Sequence, residues 1–171
     1  MKIPEGLSLC QSYKKSQLFF VVGTGKHKEW PTTTLFVWDN EKEERVASLE
    51  FNESIVDLRV VHDWVVIVHK NKIVPLNFKE DLTQPQAEKN IETKVDLKRG
   101  VWDVYATESE IKIVVPAPDQ KGHALITTIS YGDKTFVEKQ PLDVTGDKYD
   151  YQLIKFAASS DLLLVANSNG T

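Results

Sequence analysis

The residues with the clearest potential for phosphate chemistry form a glycine-rich turn, residues 23–26, with the sequence Gly-Thr-Gly-Lys. Backbone amides in such a turn, together with a lysine, can bind the phosphates of a nucleotide. A dinucleotide fingerprint needs a third glycine, a P-loop needs Ser or Thr after the lysine, and both need a following helix. None of these features follows Lys26. We therefore interpret the segment as a turn between two strands.

The other titratable side chains show no spacing typical of a catalytic or metal site. One cysteine, Cys10, and four histidines are present, without the ligand spacing of a zinc site. No Ser-His-Asp or paired-carboxylate arrangement can be assigned. We expect no catalytic residue, no metal and no cofactor, and we interpret each histidine as a turn or surface residue. The histidines are His27, His62, His69 and His123.

The charge balance argues against nucleic acid as a partner. The chain has 21 basic and 25 acidic residues, a net charge of −4, and its densest charged run, residues 41–45, mixes both signs. Nucleic-acid binding needs a basic stripe, so we expect no nucleic-acid partner, and a membrane could be contacted only through a local basic site. With one cysteine, no signal-like N-terminal segment and no long apolar run, we expect a soluble, intracellular chain.

Short apolar runs bounded by Gly, Pro, Asn, Asp or charged clusters predict β-strands along the whole chain. The most apolar runs are centred on Val21, Ile67, Val115 and Leu163, which gives a period of roughly 46 to 48 residues, the length of a four-stranded blade. The fixed period favours an all-β fold, a β-propeller of WD-repeat-like four-stranded antiparallel blades. An ordinary β-sandwich is the alternative, but it requires no fixed period.

The predicted strands fall into four rounds within a single propeller domain. The approximate blades are residues 7–51, 55–93, 101–142 and an incomplete 151–171. The predicted strands are 7–13, 18–22, 34–38, 45–51, 55–61, 64–68, 72–78, 101–106, 111–115, 124–130, 136–142, 151–156 and 162–166, with a ragged polar stretch at 79–92. Propellers close with about four to eight blades. We therefore expect an incomplete ring in this chain and a larger propeller to which it belongs.

Two consecutive segments carry a resemblance to a known family. Residues 23–31, Gly-Thr-Gly-Lys-His-Lys-Glu-Trp-Pro, followed by residues 35–39, Leu-Phe-Val-Trp-Asp, resemble the second blade of the PROPPIN family, which includes the WIPI proteins. The resemblance spans nearly the whole chain and is strongest over residues 17–78. It continues through residues 49–51, 56–60, 64–68, 71–73, 115–118, 122–123 and 162–171. It implies a seven-bladed phosphoinositide-binding propeller of autophagy, of which this chain holds blades two to five.

The resemblance implies binding to phosphatidylinositol 3-phosphate or 3,5-bisphosphate through the complete propeller. The main lipid-reading motif of the family, Leu/Phe-Arg-Arg-Gly, is expected outside this chain, and residues 97–100, Leu-Lys-Arg-Gly, imitate it about two blades too early. Where the family tends to carry a histidine, Asp147 brings a carboxylate that repels phosphate. Only a partial, weak lipid site is therefore expected here. Its residues are Asn167, Gly170 and Thr171.

Trp30 lies in a polar loop, where an exposed aromatic flanked by charge is typical of a protein interface. The open alternative is that its ring folds back over its own blade. The resemblance implies that loops around these blades hold other autophagy proteins. We therefore predict a partner-binding loop, and we expect the other three tryptophans in the core. The loop residues are Lys26, His27, Lys28, Trp30 and Pro31; the core residues are Trp38, Trp64 and Trp102.

Two functions are consistent with the sequence. The first is a non-enzymatic, phosphoinositide-binding scaffold of autophagy, cytoplasmic and peripheral on autophagic, endosomal or vacuolar membranes. The second is a WD-repeat-like protein-interaction scaffold without lipid binding, which the residue types at Asp147 and Asn167 allow.

Overall fold

A computed structural model describes the backbone as strands joined by turns. The described residues are 6–14, 16–79, 81–87, 90–93, 96–97, 101–107, 110–117, 123–130, 136–143, 151–157 and 163–167. None of these residues lies in a helix, so the described part of the chain offers no helical membrane span. The chain divides into two compact units, Met1–Asn90 and Ile91–Thr171.

The first unit is built from two antiparallel meanders. Its first sheet has the order β1-β2-β3-β4, and its second follows the order β5-β6-β7-β8. The strands of the first sheet are β1 (Leu7–Ser12), β2 (Leu18–Gly23), β3 (Thr34–Asp39) and β4 (Glu44–Glu50). The strands of the second sheet are β5 (Asp57–Val61), β6 (Trp64–Val68), β7 (Lys72–Asn77) and β8 (Gln86–Ala87).

The second unit begins with the short strand β9 (Ile91–Glu92) and contains one four-stranded antiparallel meander and one hairpin. The meander has the order β10-β11-β12-β13, and the hairpin pairs β14 with β15. The remaining strands are β10 (Asp103–Ala106), β11 (Glu110–Pro116), β12 (His123–Ser130), β13 (Phe136–Asp143), β14 (Tyr151–Phe156) and β15 (Leu163–Asn167).

The core of the first unit lies between its two sheets. Strand β6, Trp-Val-Val-Ile-Val, is buried at every position, as a continuous apolar strand packed on both faces should be. Alternation along β2 sends Phe20 and Val22 into this core and Val21 to the opposite face. The outer strand β4 is mostly exposed, and its pairing with β3 is irregular between Val37 and Trp38. Inner strands are thus apolar and the outer strand is polar.

The predicted strands are confirmed along the described chain, with two late starts. The run predicted from residue 55 begins at Asp57, because the amide of Ile55 donates to the Thr32 carbonyl outside the sheet. The run predicted from residue 101 begins at Asp103, and the ragged stretch 79–92 contains the two-residue strands β8 and β9. The three tryptophans expected in the core are buried. They are Trp38, Trp64 and Trp102.

Candidate functional site

The loop between β2 and β3, residues 24–33, is folded tightly back on β2. The Gly25 amide donates to the Trp30 carbonyl at 3.0 Å, and the Trp30 amide donates to the His27 carbonyl at 3.0 Å. A Cβ at Gly23 would lie 2.0 Å from the Trp30 carbonyl oxygen. Gly25 has a φ of 77°, in the left-handed region that favours glycine. The two glycines therefore permit the fold-back, and a strand rather than a helix follows the loop.

The Trp30 ring is the anchor of this loop. It is 5% exposed and meets the Phe36 ring edge-on, with 4.8 Å between ring centroids. The Trp38 ring lies 6.2 Å away, and the Arg45 guanidinium lies over the Trp30 ring at 5.3 Å. Aromatic pairs and a cation over an aromatic face each add about 0.5–1.5 kcal/mol beyond area burial. The ring is thus held by three side chains of its own sheet.

The expectation that Trp30 is exposed is wrong. A polar loop leaves an aromatic exposed only if the loop extends away from its sheet, and here close packing at Gly23 brings the loop down onto the sheet. The open alternative, a ring folded over its own blade, is what the structure has. The buried cluster that receives it consists of Val21, Trp30, Phe36 and Trp38.

The other predicted loop residues are brought together at the surface around this anchor. Lys26 and Lys28 are exposed, and Pro31 is half-buried. The ring nitrogen Nδ1 of His27 accepts a hydrogen bond from the Glu29 amide at 3.3 Å. The loop therefore presents two ammonium groups and one carboxylate on a short, internally bonded scaffold. Binding of a partner to these residues stays a prediction.

The predicted lipid residues give no geometry for a phosphate site. Asn167 ends β15, and nothing of its side chain is described. Gly170 and Thr171 lie outside the described residues, as does Asp147. In the segment 97–100, Leu97 is buried and the three residues that follow it are outside the described part.

Sequence reasoning missed three polar groups with defined roles. Arg45 covers the aromatic cluster from β4. His69 was expected in a turn or at the surface; it does lie in the turn after β6, but it is fully buried. Asp63, in the turn between β5 and β6, accepts a hydrogen bond from the Tyr13 hydroxyl at 2.6 Å. The tight turn was visible in the sequence, but its partner fifty residues earlier was not.

The tie at Asp63 joins the two sheets of the first unit. The Lys14 ammonium lies 2.6 Å from the same carboxylate oxygen that Tyr13 contacts. Burial acts to raise the pKa of Asp63, but the hydrogen bonds from Lys14 and Tyr13 outweigh it and lower the pKa below its ordinary 3.8. Burial, and then the bond to Asp63, raise the pKa of Tyr13 above 10.0. Among the described residues, no group of three or more metal-ligating side chains occurs.

Comparison with solved structures defines the class of this fold. The chain superposes over its full length on Hsv2 of Kluyveromyces lactis, with a TM-score of 0.75, 12% identity and 47% of that chain covered. A second structure of the same protein is matched over 96% of this chain and 45% of the other, with a TM-score of 0.66 and 13% identity. The chain is a β-propeller protein.

The sequence comparison supports a family resemblance. Autophagy-related protein 18e of Arabidopsis thaliana is 27% identical over 112 residues, 65% of this chain. The aligned part spans 29% of that relative, and no protein-family model matches the chain. This match supports the resemblance to the PROPPIN family that the sequence indicated.

Proposed function

We propose that this chain forms part of a phosphoinositide-binding propeller that acts as a membrane-recruited, non-enzymatic scaffold in autophagy. The proposal is supported most by the sequence match to an autophagy-related protein, together with the superposition of this entire chain on 47% of the Hsv2 chain. The lipid is a phosphatidylinositol 3-phosphate or 3,5-bisphosphate. The main lipid-reading residues are expected outside the 171 residues, with Asn167, Gly170 and Thr171 contributing weakly.

The location that follows from this proposal is cytoplasmic and peripheral, on autophagic, endosomal or vacuolar membranes. In this proposal, recruitment depends on recognition of a charged headgroup. Such recognition is strong when arginines bind the phosphate through two hydrogen bonds each, and the proposal assigns that role to residues beyond this sequence.

The lipid proposal is tested by flotation of the natural protein that carries these residues with phosphatidylcholine vesicles. One set contains about 5% phosphatidylinositol 3-phosphate, and the control set contains none. We expect the protein to float with the first set only. Equal flotation with both sets would refute the proposal.

A second function, a protein-interaction scaffold without lipid binding, is favoured by the geometry of the β2–β3 loop. The loop is anchored by a buried tryptophan and presents Lys26 and Lys28 to solvent. A preorganised loop loses little conformational entropy when it binds, and this raises its affinity for a partner. In this function the β2–β3 loop contacts another autophagy protein through Lys26, His27, Lys28 and Pro31. The buried Trp30 ring holds these residues in place by packing on its own sheet.

The partner role of the loop is tested with a charge-reversal pair, Lys26→Glu with Lys28→Glu. We expect the pair to weaken capture of an autophagy partner at least tenfold, because both ammonium groups lie on the contact surface. Lys42→Glu with Lys79→Glu changes the net charge equally at exposed sites elsewhere in the first unit and serves as the control. Equal weakening by both pairs would assign the effect to net charge and not to the loop.

A further inference from the structure

The segment that joins the two sheets of the first unit, residues 51–56, is held to both of them by its backbone. We name it the connector. The Ile55 amide donates to the Thr32 carbonyl, in the β2–β3 loop, at 2.8 Å. The Val56 amide donates to the Val68 carbonyl, at the end of β6, at 2.8 Å. The connector therefore couples the β2–β3 loop to the second sheet.

One side chain of the second sheet also binds the connector. The Nδ1 atom of His69 lies 3.1 Å from the Ser54 carbonyl oxygen, and its ring packs against Phe51 with 5.2 Å between centroids. A carbonyl only accepts hydrogen bonds, so Nδ1 carries the proton of the neutral ring. The Ser54 hydroxyl in turn lies 2.9 Å from the Thr32 hydroxyl. His69 thus reaches the β2–β3 loop through a single residue of the connector.

None of the described residues is placed to accept a hydrogen bond from Nε2, the second ring nitrogen of His69. His69 is fully buried, and Nε2 has no hydrogen-bond partner in the described structure. The charged groups that face the ring are Glu53 of the connector and Lys72 of β7, which pair with each other at 3.4 Å. A proton on Nε2 would create a buried cation with an unpaired N–H, which is strongly unfavourable. Protonation therefore requires that the ring reach water.

We propose that His69 is a pH-sensitive latch: its neutral ring keeps the connector closed, and its protonation opens the connector and loosens the β2–β3 loop. Burial, helped by Lys72, lowers the pKa of His69 below 6.5 against the opposing effects of the Ser54 carbonyl and Glu53. The open state takes up a proton near pH 6.5, whereas the buried ring of the closed state takes one up only at lower pH. Closure is therefore unaffected above that pH and weakens as the pH falls below it.

The latch is tested by amide hydrogen exchange of the natural protein, with rates corrected for the intrinsic effect of pH. Below about pH 6.5, the opening constant reported by the Ile55 and Val56 amides is expected to rise by up to about tenfold per pH unit. The amide of Ile113 in β11, whose residue is fully buried, is the internal control and should keep its opening constant. A pH-independent opening constant at Ile55 and Val56 would overturn the proposal.

His69→Gln separates the latch from general acid sensitivity, because glutamine can donate to the Ser54 carbonyl and does not titrate. The variant should show the same opening constant at about pH 5.5 and about pH 7.5, one unit to either side of the titration. His62→Asn removes an exposed histidine at a φ of 51°, which asparagine tolerates, and should retain the pH dependence. Retained pH dependence in His69→Gln would overturn the proposal.

If His69→Gln does not fold, the ring is titrated directly by NMR in the unsubstituted protein. The latch requires that His69 gain its proton below pH 6.5 and that connector exchange rise over the same interval. Titration of His69 without any rise in connector exchange would overturn the proposal. The latch does not depend on lipid binding, since exchange is measured without vesicles.

Discussion

At the residue scale, the position of Trp30 depends on the absence of a side chain at Gly23. The glycine leaves room for the Trp30 carbonyl, and the Trp30 ring then fills the space beneath Arg45. The sequence indicated a turn at these glycines, since their spacing and the polar residues around them are turn signals. It did not indicate the burial of Trp30, because a ring that packs on strands further along the chain leaves no periodic pattern in its own loop.

Gly23→Ala should destabilise the protein by about 1–3 kcal/mol, because the added Cβ collides with backbone and not with a flexible side chain. The measurement is urea unfolding, and exchange of the Trp30 amide should increase with it. Gly6→Ala is the control: it strains a φ of 84° but has no atom within 4 Å, so the β2–β3 loop should keep its protection. A Gly23→Ala protein as stable as the parent would contradict the packing described for this loop.

Tyr13 and Asp63 act at the scale of elements, since they connect the end of β1 to the turn between β5 and β6. A double-mutant cycle with Tyr13→Phe and Asp63→Asn should give a coupling energy of about 1 kcal/mol, because the hydrogen bond has a charged acceptor but is partly solvated. The measurement is urea unfolding of the four proteins at neutral pH. Additive losses would show that the bond does not stabilise the fold.

The same tie has a definite acid dependence. The folded-state pKa of Asp63 lies below the ordinary 3.8, so its contribution is complete above that value and is lost as the pH falls through the folded pKa. The coupling energy should therefore fall as the pH is lowered below 3.8 and remain constant between about pH 5 and about pH 8. This window lies below that of His69, so unfolding and exchange data across the two ranges distinguish the two groups.

Asp103 has the corresponding role in the second unit, where it connects β10 to β14. One carboxylate oxygen accepts from the Phe156 amide at 2.9 Å, and the other lies 3.0 Å from the Lys155 ammonium. Asp103→Asn retains one acceptor oxygen only, so we expect faster exchange of the Phe156 amide and a loss of about 1–2 kcal/mol. Lys112→Gln, which removes the ion pair with Glu110 on β11, is the control and should leave the Phe156 amide protected. Unchanged protection in Asp103→Asn would contradict this contact.

The strands themselves were predictable at the scale of elements. A continuous apolar run such as β6 can be stable only with both faces covered, and a run such as β4, which is polar and carries several charges, belongs at an edge. The start of β5 was not predictable, because Ile55 has the residue type of a strand but gives its amide to Thr32. The burial of His69 also depends on the distant partners Phe51 and Ser54, which no local pattern reveals.

At the scale of the whole molecule, the repeat length alone is enough to predict the fold class. The runs centred on Val21, Ile67, Val115 and Leu163 fall in β2, β6, β11 and β15, the second strand of each successive sheet. The family resemblance rests on short segments of sequence, and both comparisons support it. The chain spans 47% of the Hsv2 structure it matches, so the activity of the whole protein is a proposal.

The most direct test of the central claim, recognition of a 3-phosphorylated phosphoinositide, uses vesicles of equal surface charge. The natural protein is floated with phosphatidylinositol 3-phosphate vesicles and with phosphatidylserine vesicles adjusted to the same surface potential, so that simple attraction to an anionic surface is equal in both. We expect flotation with the phosphoinositide vesicles and at least tenfold less with the phosphatidylserine vesicles. Equal flotation with both sets would contradict the lipid-binding function. No flotation with either set would also contradict it and would favour the protein-interaction scaffold.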